Sequence, residues 1–354
     1  MPLTTQAGRD RGTAGEPPGA GPGTAVAGLQ PRVRQLTRRV LGREGDVRRP
    51  VAFLVLAVII ATIITPDFIR PANLNSLLID SSFLVMLAVG EAFVIMAGSI
   101  DLGVESMLSA MGMALAWLTV FHAFPAGLAL LVMLVGAALV GLFIGFLVAK
   151  VHIPSFVVTL GVYWGFRGIA LLTNGGQYIS PDSVNPPRQF GFGWLSANSG
   201  GVSNLIIIAF CVVVAGQVVM SLTPFGMRLK SIGSNEQAAR RTGLQADRIK
   251  MTVFAISAVL AAAAGAMFTA WQGAIYPLSA EGYSLQAIAA VILGGIPFTG
   301  GRGTVVGAAL GALLIGVIND LIVLFGLPAL YEYIFVAVVL VVAGLQARGG
   351  QLVK

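Results

Sequence analysis

After residue 50 the chain is a succession of apolar runs of about twenty residues, each ended by a short polar turn. Wound as a helix at ~1.5 Å per residue, such a run crosses a hydrocarbon core of about 30 Å. Lipid offers no partner to backbone N–H and C=O groups, so only helices or closed barrels can occupy it. A barrel would need ten-residue segments of alternating polarity, and the runs here are continuously apolar. The expected fold class is therefore all-α, a polytopic helical membrane protein. Composition agrees. The chain is 56% hydrophobic and 10% charged, where a soluble domain carries about 25% charge.

The runs place spans at about 51–65, 77–97, 103–122, 126–149, 154–173, 202–222, 251–272, 284–299, 304–325 and 328–346. That is about ten crossings, with both termini on the same side. The segment 284–299 is short and glycine-rich, so it reads either as a span or as a re-entrant or broken helix. Lys and Arg residues identify the cytoplasmic side. The arm before residue 50, Lys150, the six in 223–250, Arg302, Arg348 and Lys354 all fall together. Only Arg70 and Arg188 fall opposite, and Arg167 lies within a span. Positive charge is retained on the cytoplasmic side of a membrane, so both termini are expected there, in an inner or cytoplasmic membrane.

Residues 1–49 read as a disordered basic arm, 50–346 as the membrane domain and 347–354 as a cytoplasmic tail. The arm's arginines suit topology and contact with lipid headgroups. The net charge of +7 is accounted for in this way and does not point to nucleic acid. One cysteine, Cys211, cannot form an internal disulfide, and no Cys/His pair has zinc-ligand spacing. No P-loop, G-x-S-x-G or H-E-x-x-H pattern is present, so neither a catalytic residue, a metal nor a cofactor is expected. His122 and His152 sit at span edges.

The main polar island is 223–250, TPFGMRLKSIGSNEQAARRTGLQADRIK. Ser234 and Gln237 have capping-box spacing, and Gly243 suits the left-handed position after a helix, with apolar Leu244 beyond. A rigid helix over Asn235–Thr242, roughly 12 Å long, is expected. It is shaped for docking, although a basic loop that merely holds topology would carry the same charges.

Ionisable residues at membrane depth are costly and mark a pathway or a partner. Arg167 is one, with Glu91 and Asp320 in other spans as possible partners. Asp101 and Glu105 flank the start of the third span, where an N-cap and the helix dipole suit them. The segment 174–200, beginning at Asn174, is turn-rich with interleaved aromatics. Glu91, Asp101, Arg167, Asn174 and Asp320 are the candidate pathway residues. Gly141/Gly145, Gly161/Gly165 and Gly303/Gly307/Gly311 have the four-residue spacing of close helix packing. The segments 98–112 and 294–311 echo each other: a glycine-broken end, then a small-residue helix.

Four blocks resemble one family. AGSIDLGVESMLSAMGM is similar to the "GGIDLSVGS" signature of monosaccharide permeases of ATP-binding-cassette importers, the ribose/xylose/galactose type. IPSFVVTLGVYWGFRGIALLTNGGQYI resembles that family's fifth-span region, the 223–250 island its coupling region, and GGRGTVVGAALGALLIGVIND its C-terminal glycine-rich span. The resemblance implies that 50–346 is a permease domain pairing with a second copy or close homologue. It implies a cytoplasmic ATPase subunit gripping Ser234, Asn235, Glu236, Gln237, Ala238, Ala239, Arg240, Arg241 and Gly243. It also implies an extracytoplasmic sugar-binding protein. Ala238 and Ala239 would let the helix sit deep in a groove, and Glu236 and Arg240 would fix its register. The sequence departs from the family pattern at Glu105, Glu91 and Asp320. The alternative is an ion-coupled secondary carrier with Glu91, Arg167 or Asp320 as relay.

Overall fold

The structure, a computed structural model, describes residues 47–328 and 330–349. The expected arm, up to residue 46, and the tail from 350 lie outside the described residues. The helices are α1 (Arg48–Ile64), α2 (Pro71–Met96), α3 (Val104–Ala116), α4 (Ala126–Ala149), α5 (Ser155–Thr173) and α6 (Asn204–Leu222). They continue as α7 (Pro224–Ser234), α8 (Glu236–Arg241), α9 (Ala246–Gln272), α10 (Tyr283–Leu293), α11 (Val305–Leu324) and α12 (Tyr331–Gly349). Each expected span overlaps one of these helices. Among the described residues seven are long and apolar enough to cross a membrane: α2, α3 with the π turn Trp117–Phe121, α4, α5, α6, α9 and α11.

Hydropathy alone does not decide which helix is central. α4 is the more apolar, yet only 28% of it is buried, against 89% of α2. Ser81, Ser82, Ala88, Gly90 and Ala92 give α2 small faces on several sides, and neighbours close on it all round. A Cβ on Gly90, for instance, would stand 3.1 Å from the Ser257 backbone of α9. The Gly141/Gly145 pair packs as its spacing predicts. Added Cβ atoms there would lie 2.4 Å from Phe254 O and 2.4 Å from Met251 Cα of α9. Gly307 and Gly311 seat α11 on α10 in the same way, 2.2 Å from Gly294 O and 1.9 Å from Ala290 O. Gly161 and Gly165 are a correction: a Cβ there meets nothing within 4 Å in this chain.

Two spans are discontinuous. The expected crossing 284–299 is helical only over Tyr283–Leu293, about 16 Å, so it is a half-span rather than a crossing. The chain from α9 returns to it through 273–282, where Gly273, Ala280 and Gly282 have positive φ. The start of α3 is also raised. Gly98 (φ 76°) turns the chain after α2, and residues 99–103 then run along α5 without helical bonds. Ile100 N–H donates to Ser155 Oγ at 3.2 Å. Farther on, a Cβ on Gly103 would be 2.8 Å from Val162 Cγ1. Seven residues separate Ser155 from Val162, so α3 begins about 10 Å along α5. The two glycine-rich turns that echo in the sequence pack on each other. Gly301 N–H donates to Met96 O at 3.0 Å, and a Cβ on Gly300 would be 3.0 Å from Gly98 N.

Candidate functional site

The polar island folds as two helices, α7 and α8, between α6 and α9. Thr223–Pro224 begins α7, with proline in the first turn where its missing N–H costs nothing. That helix runs through Ser234, whose hydroxyl donates to Lys230 O at 2.8 Å. The expected capping box is therefore corrected. The cap of α8 is Asn235, whose Oδ1 accepts the Ala238 N–H at 2.9 Å. The far end matches expectation. Gly243 has φ 84°, Leu244 N–H donates to Ala239 O at 3.2 Å and Gly243 N–H to Arg240 O at 3.0 Å. This pair of bonds is the Schellman closure.

Charge then fixes α8 to its own chain. Glu236 Oε1 accepts Arg240 Nε at 3.1 Å and Nη2 at 2.8 Å, and its Oε2 accepts Lys250 Nζ at 2.5 Å. Arg240 also reaches Asp247, whose second oxygen pairs with Lys150 at 2.9 Å. Glu236 and Arg240 are thus occupied in tying α8 to α9 and the end of α4, so any register they set is internal. Ala239 faces inward and is 6% exposed, whereas Ser234, Asn235, Gln237, Ala238 and Arg241 are exposed. The presented face is a correction to the expected pair of alanines: Ala238 is offered and Ala239 is not.

Partial burial alone would raise the Glu236 carboxyl, but hydrogen bonds from Lys250 and Arg240 outweigh it and hold it below the usual glutamate range. A group lowered in the folded state stabilises above its unfolded pKa of about 4.3 and loses that contribution as pH falls through the folded value. Hydrogen-exchange protection factors of the α8 amides are expected to be level from about pH 5 to 8 and to fall below about pH 4. Glu236→Gln should lower protection above about pH 5 to the level the wild type reaches in acid, and so flatten the dependence. A pH-independent wild type would mean the carboxylate does not hold the helix.

α7 carries this assembly onto the centre of the bundle. A Cβ on Gly233 would be 1.8 Å from Met96 O and 2.6 Å from Gly301 N. The last turn of α7 thus rests on the end of the central helix and on the turn that leads into α11.

A second constellation lies where α3 and the half-span α10 begin. Arg167 and Glu105 form an ion pair at 2.8 Å, with side chains 5% and 3% exposed. The other guanidinium nitrogen, Nη1, donates to Pro277 O at 2.9 Å. Glu105 Oε2 accepts Ser284 N–H at 3.0 Å, and Ser284 Oγ donates to Leu102 O at 2.9 Å. One carboxylate therefore neutralises the arginine and satisfies an otherwise open amide in the first turn of α10, where the helix dipole favours negative charge. The expected partners of Arg167, Glu91 and Asp320, are corrected to Glu105.

Of the other candidates, Glu91 and Asp101 meet, whereas Asp320 and Asn174 lie apart. Asp101 is not the cap of α3, which is Gly103. Its Oδ1 accepts Gly103 N–H at 2.9 Å and its Oδ2 accepts Ser257 Oγ at 3.0 Å. Glu91 Oε1 accepts Asp101 N–H at 3.2 Å. Asp320 accepts from Asn73 Nδ2 at 2.8 Å. Asn174 is half-buried at the end of α5, donating to Tyr178 O at 3.0 Å. Among the described residues no group of three His, Cys, Asp or Glu side chains is placed to hold a metal ion.

Comparison with known proteins identifies relatives of the whole chain. The family described as "Branched-chain amino acid transport system / permease component" matches residues 73–344. The ribose import permease protein RbsC of Bacillus subtilis (strain 168) is 34% identical over 300 residues, 84% of this chain and 92% of that one. The L-arabinose ABC transporter permease protein AraH of Azospirillum brasilense is 32% identical over 332 residues, covering 93% of this chain and 94% of its own. The autoinducer 2 import system permease protein LsrC of Klebsiella pneumoniae is 32% identical over 291 residues, 81% of this chain and 82% of the relative. No solved structure matches the chain.

Proposed function

The chain belongs to the permease-component family of the branched-chain amino acid transport system type, and from that premise we propose that it is the membrane-spanning subunit of an ATP-binding-cassette importer for a monosaccharide or related polyol. Relatives named as ribose and L-arabinose permeases support the substrate class. In this reading the basic end faces the cytoplasm. An ATPase subunit takes hold of α8 there, a sugar-binding protein docks at the opposite end, and a second permease copy completes the passage. ATP-driven closure of the ATPases moves α8 and switches the passage between outward and inward states.

The observation that carries the proposal is α8 itself. It is six residues long, capped at both ends, locked by charge to its own chain, and open on the face of Gln237, Ala238 and Arg241. A rigid knob of this kind transmits a push, where a flexible loop would absorb it. The alternative of an ion-coupled carrier draws no support from relatives named as import permeases or as an ABC transporter permease.

In proteoliposomes holding the chain with its ATPase and binding protein, sugar uptake is expected to require ATP. Ala238→Trp should cut uptake more than tenfold by obstructing the docking face, while Arg228→Ala, outside that face, should not. Concentrative uptake by the permease alone, or full activity with tryptophan at 238, would defeat the proposal.

A further inference from the structure

Four buried polar side-chain atoms among the described residues have no hydrogen-bond partner: Ser81 Oγ, Glu91 Oε2, Gln286 Nε2 and Asn319 Oδ1. Three of them belong to one seam between α2, α10 and α11. Ser81 and Gln286 are 2% and 1% exposed. Asn319 Nδ2 reaches Gln286 Oε1 at 3.4 Å. Ser81 Oγ would be 2.1 Å from a Cβ on Gly316, one turn before Asn319 on α11. Leaving such atoms unmet costs more than the net value of a typical hydrogen bond, so a partner from outside the chain is called for.

The chemistry of that partner follows from the amide pair. Asn319 and Gln286 bond to each other once, which leaves one amide donor and one amide acceptor side by side. Turning both amides over exchanges the roles and leaves the same remainder. A hydroxyl is both donor and acceptor, and adjacent hydroxyls match an adjacent donor and acceptor. Carboxylates surround the position: Asp80 and Asp320 are the chain neighbours of Ser81 and Asn319, and Glu332 lies within reach of the Gln286 side chain. This setting rejects anions. Toward the basic end the seam is shut, because Gly311 and Gly307 bring α11 onto the α10 backbone at Ala290 and Gly294. Toward the opposite end it continues through polar groups, with Asp80 on α2 and Asn73 bonded to Asp320.

We infer that Ser81, Gln286 and Asn319 form a binding subsite for a neutral polyhydroxylated solute, approached from the extracytoplasmic end and closed below by the α10–α11 glycine contact. The inference rests on the transport reading above. It adds the place where the solute is held and the exclusion of phosphorylated sugars.

The test uses the full importer in proteoliposomes and cells, with D-ribose, L-arabinose and D-xylose as probes and the corresponding sugar phosphates as negative probes. Asn319→Leu and Gln286→Leu are each expected to lower uptake of the preferred sugar about three- to tenfold, one hydrogen bond's worth. In a Cys211→Ser background, Asn319→Cys is expected to react with an impermeant thiol reagent added outside, and the transported sugar should slow that reaction severalfold. Ser81→Cys serves where the first variant does not reach the membrane. Reaction from the cytoplasmic side only, or no protection by the sugar, would overturn the subsite while leaving transport standing; the latter means that water alone fills it. Failure of the wild-type importer to take up any of the three sugars would overturn the transport reading and the subsite together.

Discussion

Arg167→Met is expected to destabilise the folded chain by about 3–5 kcal/mol, because it leaves Glu105 charged, buried and without its counter-ion. The loss reaches beyond the pair. Glu105 also holds the first turn of α10, and Arg167 holds Pro277 in the segment that returns from α9, so α3 and the half-span α10 lose their common anchor. Thermal unfolding in detergent should show a large drop in transition temperature. Arg167→Lys should recover only part, since one ammonium cannot reach Glu105 and Pro277 with the geometry of a planar fork. The double change Glu105→Leu with Arg167→Met should regain most of the stability, because removing both charges also removes the cost of burying them. An unchanged transition temperature in the single variant would show that the pair contributes nothing.

Gly233→Val is expected to stop transport almost completely, by about a hundredfold or more in ATP-driven uptake. The cause is space, not backbone freedom. Gly233 lies inside α7, yet a Cβ there would stand 1.8 Å from the Met96 carbonyl and 2.6 Å from Gly301 N. Backbone cannot give way by that much without parting α7 from the end of the central helix. Gly243 makes the control. Its φ is 84°, with nothing within 4 Å of an added Cβ, so Gly243→Ala should cost only about 1–3 kcal/mol of local strain and leave measurable uptake. If Gly233→Val transports normally, α7 does not carry motion into the bundle and the proposed route from α8 is wrong.

The sequence resolves these features unevenly, and the reasons are physical. Spans are legible because twenty apolar residues have one stable use in lipid. Gly243 is legible because left-handed backbone and an apolar follower form a local signal. Ser234 misleads because its capping spacing is genuine, but Pro224 starts an earlier helix that runs past it. Serine in a last turn then bonds backward to Lys230, and Asn235 takes the cap. The Arg167–Glu105 pair is hidden for a different reason. Apolar periodicity puts Glu105 at a membrane surface, and only the extended run 99–103 lifts it about 10 Å along α5. Nothing local announces that run except Gly98 and Gly103, two glycines among 45. Ser81, Gln286 and Asn319 are equally silent, since a single neutral polar residue in an apolar helix reads as packing until its unmet atoms are seen in three dimensions.

The half-span α10 bears on how the chain is built. Eleven residues are too few to partition into a bilayer on their own, and the return segment 273–282 has peptide groups that hydrocarbon would leave unsatisfied. Neither can dwell in lipid ahead of its neighbours. Their berth is made by Arg167 of α5 and by the glycine face of α11, so the newly made polypeptide has to hold 273–293 in waiting until later helices arrive. Biogenesis is then sequential by necessity, and its last-seated piece is the one whose first turn is held by Glu105.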